Sequence, residues 1–172
     1  NVTPINEAIQ FGHDEIIVSK TDLKGRLLYA NDVFCRVAEM STREVIGQPH
    51  SIIRHPDMPR IIFKFLWDAI SAGEEIFAYV KNMSKTGKYY WVIAHVTPSF
   101  DGGGNVTGYH STRRTPSDKA LAKIIPLYQQ LIDEEGRHNS GKDALIASIN
   151  LFQNMLDASG QTYSEFIWAV GD

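Results

Sequence analysis

Pro49, Pro56 and Pro59 constrain this 172-residue chain more than any other feature. Each proline lacks a backbone donor and pushes its predecessor toward extended geometry. The stretch Gly47-Gln48-Pro49-His50-Ser51-Ile52-Ile53-Arg54-His55-Pro56-Asp57-Met58-Pro59 can therefore be neither a regular helix nor a central strand. It nevertheless gathers two imidazoles, a guanidinium and a carboxylate around the apolar pair Ile52 and Ile53. A rigid turn that presents such groups beside apolar surface suits a polar, partly aromatic ligand.

The elements on either side of this turn follow from periodicity. Residues 15–20 and 26–30 read as strands joined by the turn Asp22-Leu23-Lys24-Gly25. Asn31 and Asp32 cap a short helix that carries Val33, Phe34 and Val37 inward, and Ser41 with Glu44 starts another. Beyond the prolines, Ile62, Phe63, Leu66, Trp67 and Ile70 repeat at helical spacing over residues 60–72, which Gly73 closes. Strands over 75–83, 89–99 and 106–115 follow, with hairpin turns at Lys85-Thr86-Gly87 and Asp101-Gly102-Gly103-Gly104-Asn105.

Thr3-Pro4 reads as a helix start, with Ile5, Ala8 and Ile9 as a short apolar stripe. From Ser117 onward the pattern is helical. Leu121, Ile124, Ile125, Tyr128, Leu131 and Ile132 form one stripe that Pro126 is expected to kink or break. Leu145, Ile149, Phe152 and Leu156 form a second, and Thr162 with Glu165 caps a third short helix. The expected organisation is an N-terminal cap helix over 1–14, a mixed sheet-and-helix domain over 15–116 and a helical linker segment over 117–172. Such a tail packs on its own domain, on a second copy or on a downstream signalling segment, and the sequence does not choose among them.

Composition narrows the function. A formal charge of −3 argues against general nucleic-acid affinity, which needs a concentrated basic face. A single cysteine, Cys35, excludes an internal disulfide and a cysteine-rich metal site, and fits a reducing compartment. No apolar run reaches the ~18 residues that span a bilayer. The first residue is Asn1 rather than Met, so the chain is expected to be a piece of a larger protein whose membrane anchor, if present, lies elsewhere. His50 and His55 lack a second ligand pair for a metal. Gly102-Gly103-Gly104 lacks the lysine of a phosphate loop, and Arg113-Arg114 is only a two-residue basic cluster at a strand end. No serine or cysteine nucleophile has a recognisable motif, which argues against a catalyst.

Strand–strand–helices–three strands is the element order of a PAS domain, an α+β fold whose five-stranded antiparallel sheet carries helices on one face. The chain resembles, more specifically, the FAD-binding PAS sensory domains of bacterial aerotaxis receptors, from about Thr21 to Tyr128. The resemblance rests on Tyr29-Ala30-Asn31-Asp32, the Gly47 to Pro59 stretch, Trp67, Val80-Lys81-Asn82, Lys85, Gly87, Tyr90-Trp91-Val92, Gly108-Tyr109 and Pro126-Leu127-Tyr128. The hexapeptide Arg54-His55-Pro56-Asp57-Met58-Pro59 is its most specific part. In that family the arginine, histidine and aspartate of the hexapeptide matter for flavin binding, which implies roles for Arg54, His55 and Asp57; the family's helical tryptophan corresponds to Trp67.

Physical roles can be assigned to these residues. Arg54 offers a fork of donors to a pyrophosphate or a flavin carbonyl. His55 can donate to similar oxygens. Asp57 can fix either neighbour or accept from a ribose, or else cap the helix starting near Met58. Trp67 offers a flat surface to a ring, or else fills the core. Flavin-binding light sensors of the LOV type share the fold. Aligned through Gly47, their adduct-forming cysteine falls at His50, so that photochemistry is not expected. The same alignment matches a flavin-contacting asparagine to Asn82, with a strand-end role as the alternative. It matches a glutamine of the last strand to His110, whose two tautomers could read the flavin's hydrogen-bonding state, or which points to the solvent side of the sheet.

The resemblance thus implies a cytoplasmic PAS module that holds FAD without covalent attachment and senses redox or oxygen status. Its output would pass to a downstream signalling domain of the same or another protein, with a homodimer as one arrangement. The rivals are a haem PAS sensor, with His50 or His55 as axial ligand, and a ligand-free PAS dimerisation module.

Overall fold

Alternation along the long strands builds the sheet, and helix caps fix what covers it. The structure, a computed structural model, describes residues 2–171. Strands β1 (Ile17–Asp22) and β2 (Leu27–Ala30) are followed by helices α1 (Asp32–Ala38) and α2 (Thr42–Val45), a single 3-10 turn (His50–Ile53) and α3 (Arg60–Ser71). Then come β3 (Ile76–Met83), β4 (Tyr89–Phe100) and β5 (Val106–Arg114), and helices α4 (Asp118–Glu135), α5 (Gly141–Ser159) and α6 (Tyr163–Val170). The sheet is antiparallel throughout, in the order β2-β1-β5-β4-β3. The five strands and their boundaries lie within two residues of those expected from the sequence.

Residue contacts divide the chain into two compact units, Asn1–Pro56 with Asp68–Thr115, and Asp57–Trp67 with Pro116–Asp172. In the sheet unit, one face carries Ile17, Ser19, Val80, Asn82, Tyr90, Val92 and Arg113, all buried. Asn31 sets α1 against this unit. Its Oδ1 accepts from the Phe34 and Val18 backbone N–H groups at 3.0 and 3.1 Å, and its Nδ2 donates to the Ile16 carbonyl at 2.8 Å. One side chain therefore caps the helix and ties it to β1. Phe34, Val37 and Ala38 are buried as a result. Close approach of β5 to β1 demands Gly108, where a Cβ would meet the Thr21 carbonyl oxygen at 2.1 Å.

The helical unit packs around Phe152, which is 1% exposed. Its ring lies 5.7 Å from that of Phe65, 6.2 Å from Tyr163 and 5.6 Å from Phe166. Ser117, Ser140 and Thr162 cap the three tail helices, and Thr162 with Glu165 completes a capping box.

Two expectations are corrected. Residues 2–14 form no helix: they hold one isolated bridge, in which Ala8 pairs in parallel with Tyr89 at the start of β4. The pairing of β4 with β5 ends at Ile93↔Arg114, which leaves the Tyr89 backbone groups without a strand neighbour on that side. Tyr89 N–H donates to the Glu7 carbonyl at 2.9 Å and its carbonyl accepts from Ile9 N–H at 2.8 Å. Satisfying a strand edge outweighs the weak propensity of a helix this short. Secondly, Pro126 does not break α4, which runs through it from Asp118 to Glu135. Apolar burial of Ile124, Tyr128 and Leu131 on both sides of the proline outweighs one lost hydrogen bond.

Candidate functional site

Arginine is rarely buried without a carboxylate, because removing a cation from water costs several kcal/mol. Arg113 is 2% exposed, and no carboxylate pairs with it among the described residues. Its alternation partner on β5 is Ser111, also buried, while Arg114 points to the opposite face and is exposed. Across the sheet Arg113 lies opposite Ile17 on β1 and the small Ala94 on β4.

Three elements supply its neighbours. From β1, Ser19 Oγ accepts from Arg113 Nη2 at 2.6 Å. From the 3-10 turn, His50 Nε2 lies 3.0 Å from Arg113 Nη1 and 3.2 Å from Ser19 Oγ. From α1, the Phe34 ring sits 5.2 Å from the guanidinium carbon and edge-on to His50 at 6.2 Å. Since Arg113 can only donate, Nε2 of His50 must accept, which fixes its proton on Nδ1. Desolvation and the Arg113 charge hold the His50 pKa down to about 3, so the imidazole is neutral. Burial lowers the Arg113 pKa to about 10, so the guanidinium keeps its charge at neutral pH. Tyr90, 4% exposed, has its hydroxyl pKa pushed up by burial, which the Arg113 charge partly opposes.

The 3-10 turn reaches this position because the proline stretch is pinned at both ends. Gly47 takes φ +87°, where glycine is favoured, and bridges tie Pro49 to Arg26 and Arg54 to Asn82. Two buried side-chain donors on the same face of the sheet, Nε of Arg113 and Nδ2 of Asn82, lack partners among the described residues. Native proteins leave few buried donors unmet, so a pair of them marks a place for an acceptor-bearing group.

Of the residues singled out from sequence, the sheet unit brings His50 into this cluster and buries Asn82 and His55, each 3% exposed. Arg54 is exposed as a residue, with its backbone paired to Asn82. Asp57 and Trp67 group with the helical unit. Asp57 is exposed, and Trp67 is 42% exposed rather than a core residue. α3 begins at Arg60, two residues later than the alternative capping role for Asp57 required. The Arg60 N–H donates instead to the Glu135 carboxylate, at 2.9 and 3.0 Å from its two oxygens. Cys35 is half-buried on α1, with Sγ 3.7 Å from Thr42 Oγ1.

His110 is not brought to the cluster. It pairs across the sheet with Lys20 and Thr97, on the face opposite Ser19 and Arg113. Desolvation lowers its pKa, with Lys20 and His95 adding to the effect. Arg113, three residues further along β5, takes the inward position instead. Ser19, Phe34 and Arg113 carried no motif. Period-two alternation was the available signal, because in Arg113-Arg114 one arginine must face inward if its neighbour faces out. Among the described residues no group of three or more His, Cys, Asp or Glu is placed to hold a metal ion, and no helix is long and apolar enough to cross a membrane.

The chain belongs to the PAS-fold family, whose model matches residues 27–113, half of its length. Its similarity to the aerotaxis receptor of Escherichia coli K12 is 39% identity over 118 residues, which cover 69% of this chain and 23% of the receptor. The nitrogen fixation regulatory protein of Klebsiella oxytoca is 24% identical over 71% of this chain and 28% of its own length. The chain thus spans about a quarter of these relatives. Among solved structures, the light-state blue-light photoreceptor Aureochrome1 LOV domain superposes with a TM-score of 0.58 at 18% identity, covering 69% of this chain and 92% of that one. That likeness is one of fold.

Proposed function

We propose that this PAS module holds FAD without a covalent bond and reports its oxidation state to a downstream signalling segment. The observation that carries this reading is the 39% identity to the aerotaxis receptor, together with the hexapeptide Arg54 to Pro59 that singles out its FAD-binding family. The orphaned donors support it, since a flavin presents ring nitrogens and carbonyl oxygens that accept hydrogen bonds. When bound, the flavin supplies reversible electron uptake that changes its charge and hydrogen-bonding demand. Arg54 and His55 would bind its phosphate or carbonyl oxygens, Asp57 would orient them or accept from the ribose, and Asn82 would donate to the ring. Trp67 would offer an apolar surface. In this reading the module works in the cytoplasm, and its partner is a signalling domain of the same protein or another, or a second copy of the chain.

A haem reading through His50 is disfavoured by a specific contact. Its Nε2 is engaged by Arg113 and Ser19, and a guanidinium beside it would repel a metal cation. Adduct photochemistry is not expected, since His50 stands at the position of the LOV cysteine and Cys35 on α1 is the chain's single thiol.

Purified protein is expected to be yellow, to bleach on anaerobic reduction and to recover its spectrum in air. Heat should release a chromophore with the mass of FAD. A Soret band, or a colourless protein after incubation with FAD, would sink the reading. Arg54→Ala is expected to lower FAD affinity roughly tenfold or more with the fold retained, the value of one charged hydrogen bond. Equal affinity in a variant with native circular dichroism would remove Arg54 from the binding set.

A further inference from the structure

The charge at the heart of the sheet unit has no opposite number among the described residues. Arg113 donates through Nη2 to Ser19 and through Nη1 to His50, both neutral, and the Phe34 ring covers its guanidinium. Its Nε–H has no partner among the described residues. A residue retained only to brace the fold would be replaced at little cost by an apolar side chain of similar volume, because a buried unpaired cation is destabilising. Here three side chains from three elements orient the cation and none neutralises it. The second orphan on this face, Asn82 Nδ2, is also a donor. What the site lacks is an acceptor with electron density to spare.

We propose that Arg113 contacts the electron-rich edge of the bound ring system and that the site favours a ring that gains negative charge there. His50 and Ser19 are positioning residues: they turn the guanidinium so that Nε–H remains for the ligand. This inference rests on the flavin reading and deepens it. Uptake of two electrons and one proton from an external reductant leaves the flavin ring with one negative charge. A buried cation binds that form more tightly than the neutral oxidised form, and so raises the reduction potential. Arg113 is therefore assigned as the residue that sets the redox threshold of the module, three positions from the one that alignment suggested.

The test compares FAD-loaded wild type with Arg113→Gln and Arg113→Lys, using dithionite as reductant and equilibration with reference dyes. Arg113→Gln keeps a donor and removes the charge. It is expected to bind oxidised FAD with modest loss, but to lose at least tenfold of the preference for the reduced form, a fall of about 30 mV for a two-electron couple. Arg113→Lys should fall between the two. Chemical denaturation of the FAD-free proteins supplies a second readout. The Gln variant should be as stable as wild type or more so, since it relieves an uncompensated charge. An unchanged potential in Arg113→Gln with intact FAD binding would overturn this inference alone. Wild type that takes up no FAD would overturn the flavin reading as well.

Discussion

Phe34→Ala is expected to remove about 3–5 kcal/mol of stability, the usual cost of truncating a fully buried aromatic side chain. Phe34 is 2% exposed, and three separate interactions converge on its ring: the core of α1, the edge of His50 and the face toward Arg113. For a chain of this size, the thermal midpoint should fall on the order of 10 °C. The guanidinium then loses its aromatic cover, while water entering the cavity partly solvates it, so the effect should sit at the lower end of the range. Phe34→Leu refills most of the volume without a π face. It should recover all but the cation–aromatic part, about 0.5–2 kcal/mol. A melting curve for Phe34→Ala that overlays wild type would show that the ring is not part of the cooperative core.

Acid should destabilise the protein before its carboxylates protonate. The His50 pKa is held near 3 in the fold, against an ordinary value of 6.5, by desolvation first and the Arg113 charge second. Between those values the unfolded chain binds a proton that the native state refuses. The contribution of neutral His50 is therefore fully present above about pH 6.5, and is lost as pH falls toward 3. From pH 6.5 to about 4.5 this amounts to about 2–3 kcal/mol. His50→Gln keeps an acceptor for Arg113 and cannot titrate, so its acid limb should be flatter. Asp22, Glu44 and Asp101 also have lowered pKa values, but the substitution leaves these residues in place, so the difference between the two proteins isolates His50. Urea midpoints that drop equally in wild type and His50→Gln over this window would assign the acid sensitivity elsewhere.

Much of the fold was legible because local chemistry and tertiary structure agree. Asn31, Ser41 and Thr162 read as caps and are caps, and the strands at β3, β4 and β5 follow their hairpin turns. The N-terminal segment misled because its partner is a strand edge far away in sequence, and no local pattern announces an unpaired Tyr89 backbone. The candidate site residues divide in the same manner. His50, His55 and Asn82 stood out through an unusual stretch and a family resemblance. Arg113 read only as half of a two-residue basic cluster at a strand end, since a guanidinium's destination depends on which residues of β1, α1 and the 3-10 turn surround it. His110 and Arg113 stand an odd number of residues apart on one strand, so alternation alone sends their side chains to opposite faces.

Helix α3 has one foot in each unit: residues up to Trp67 count with the tail helices, and residues from Asp68 with the sheet. A chain shortened to end at the last strand would therefore lose more than its tail. The first turn of α3 would be left without the Glu135 carboxylate on Arg60 N–H, and Phe65 without Phe152 and Tyr163. The helix that follows the proline stretch would begin with an uncapped amide and an aromatic surface open to water. Trimming at the loop after the last strand therefore takes from the start of α3 the carboxylate and the rings that the tail helices supply.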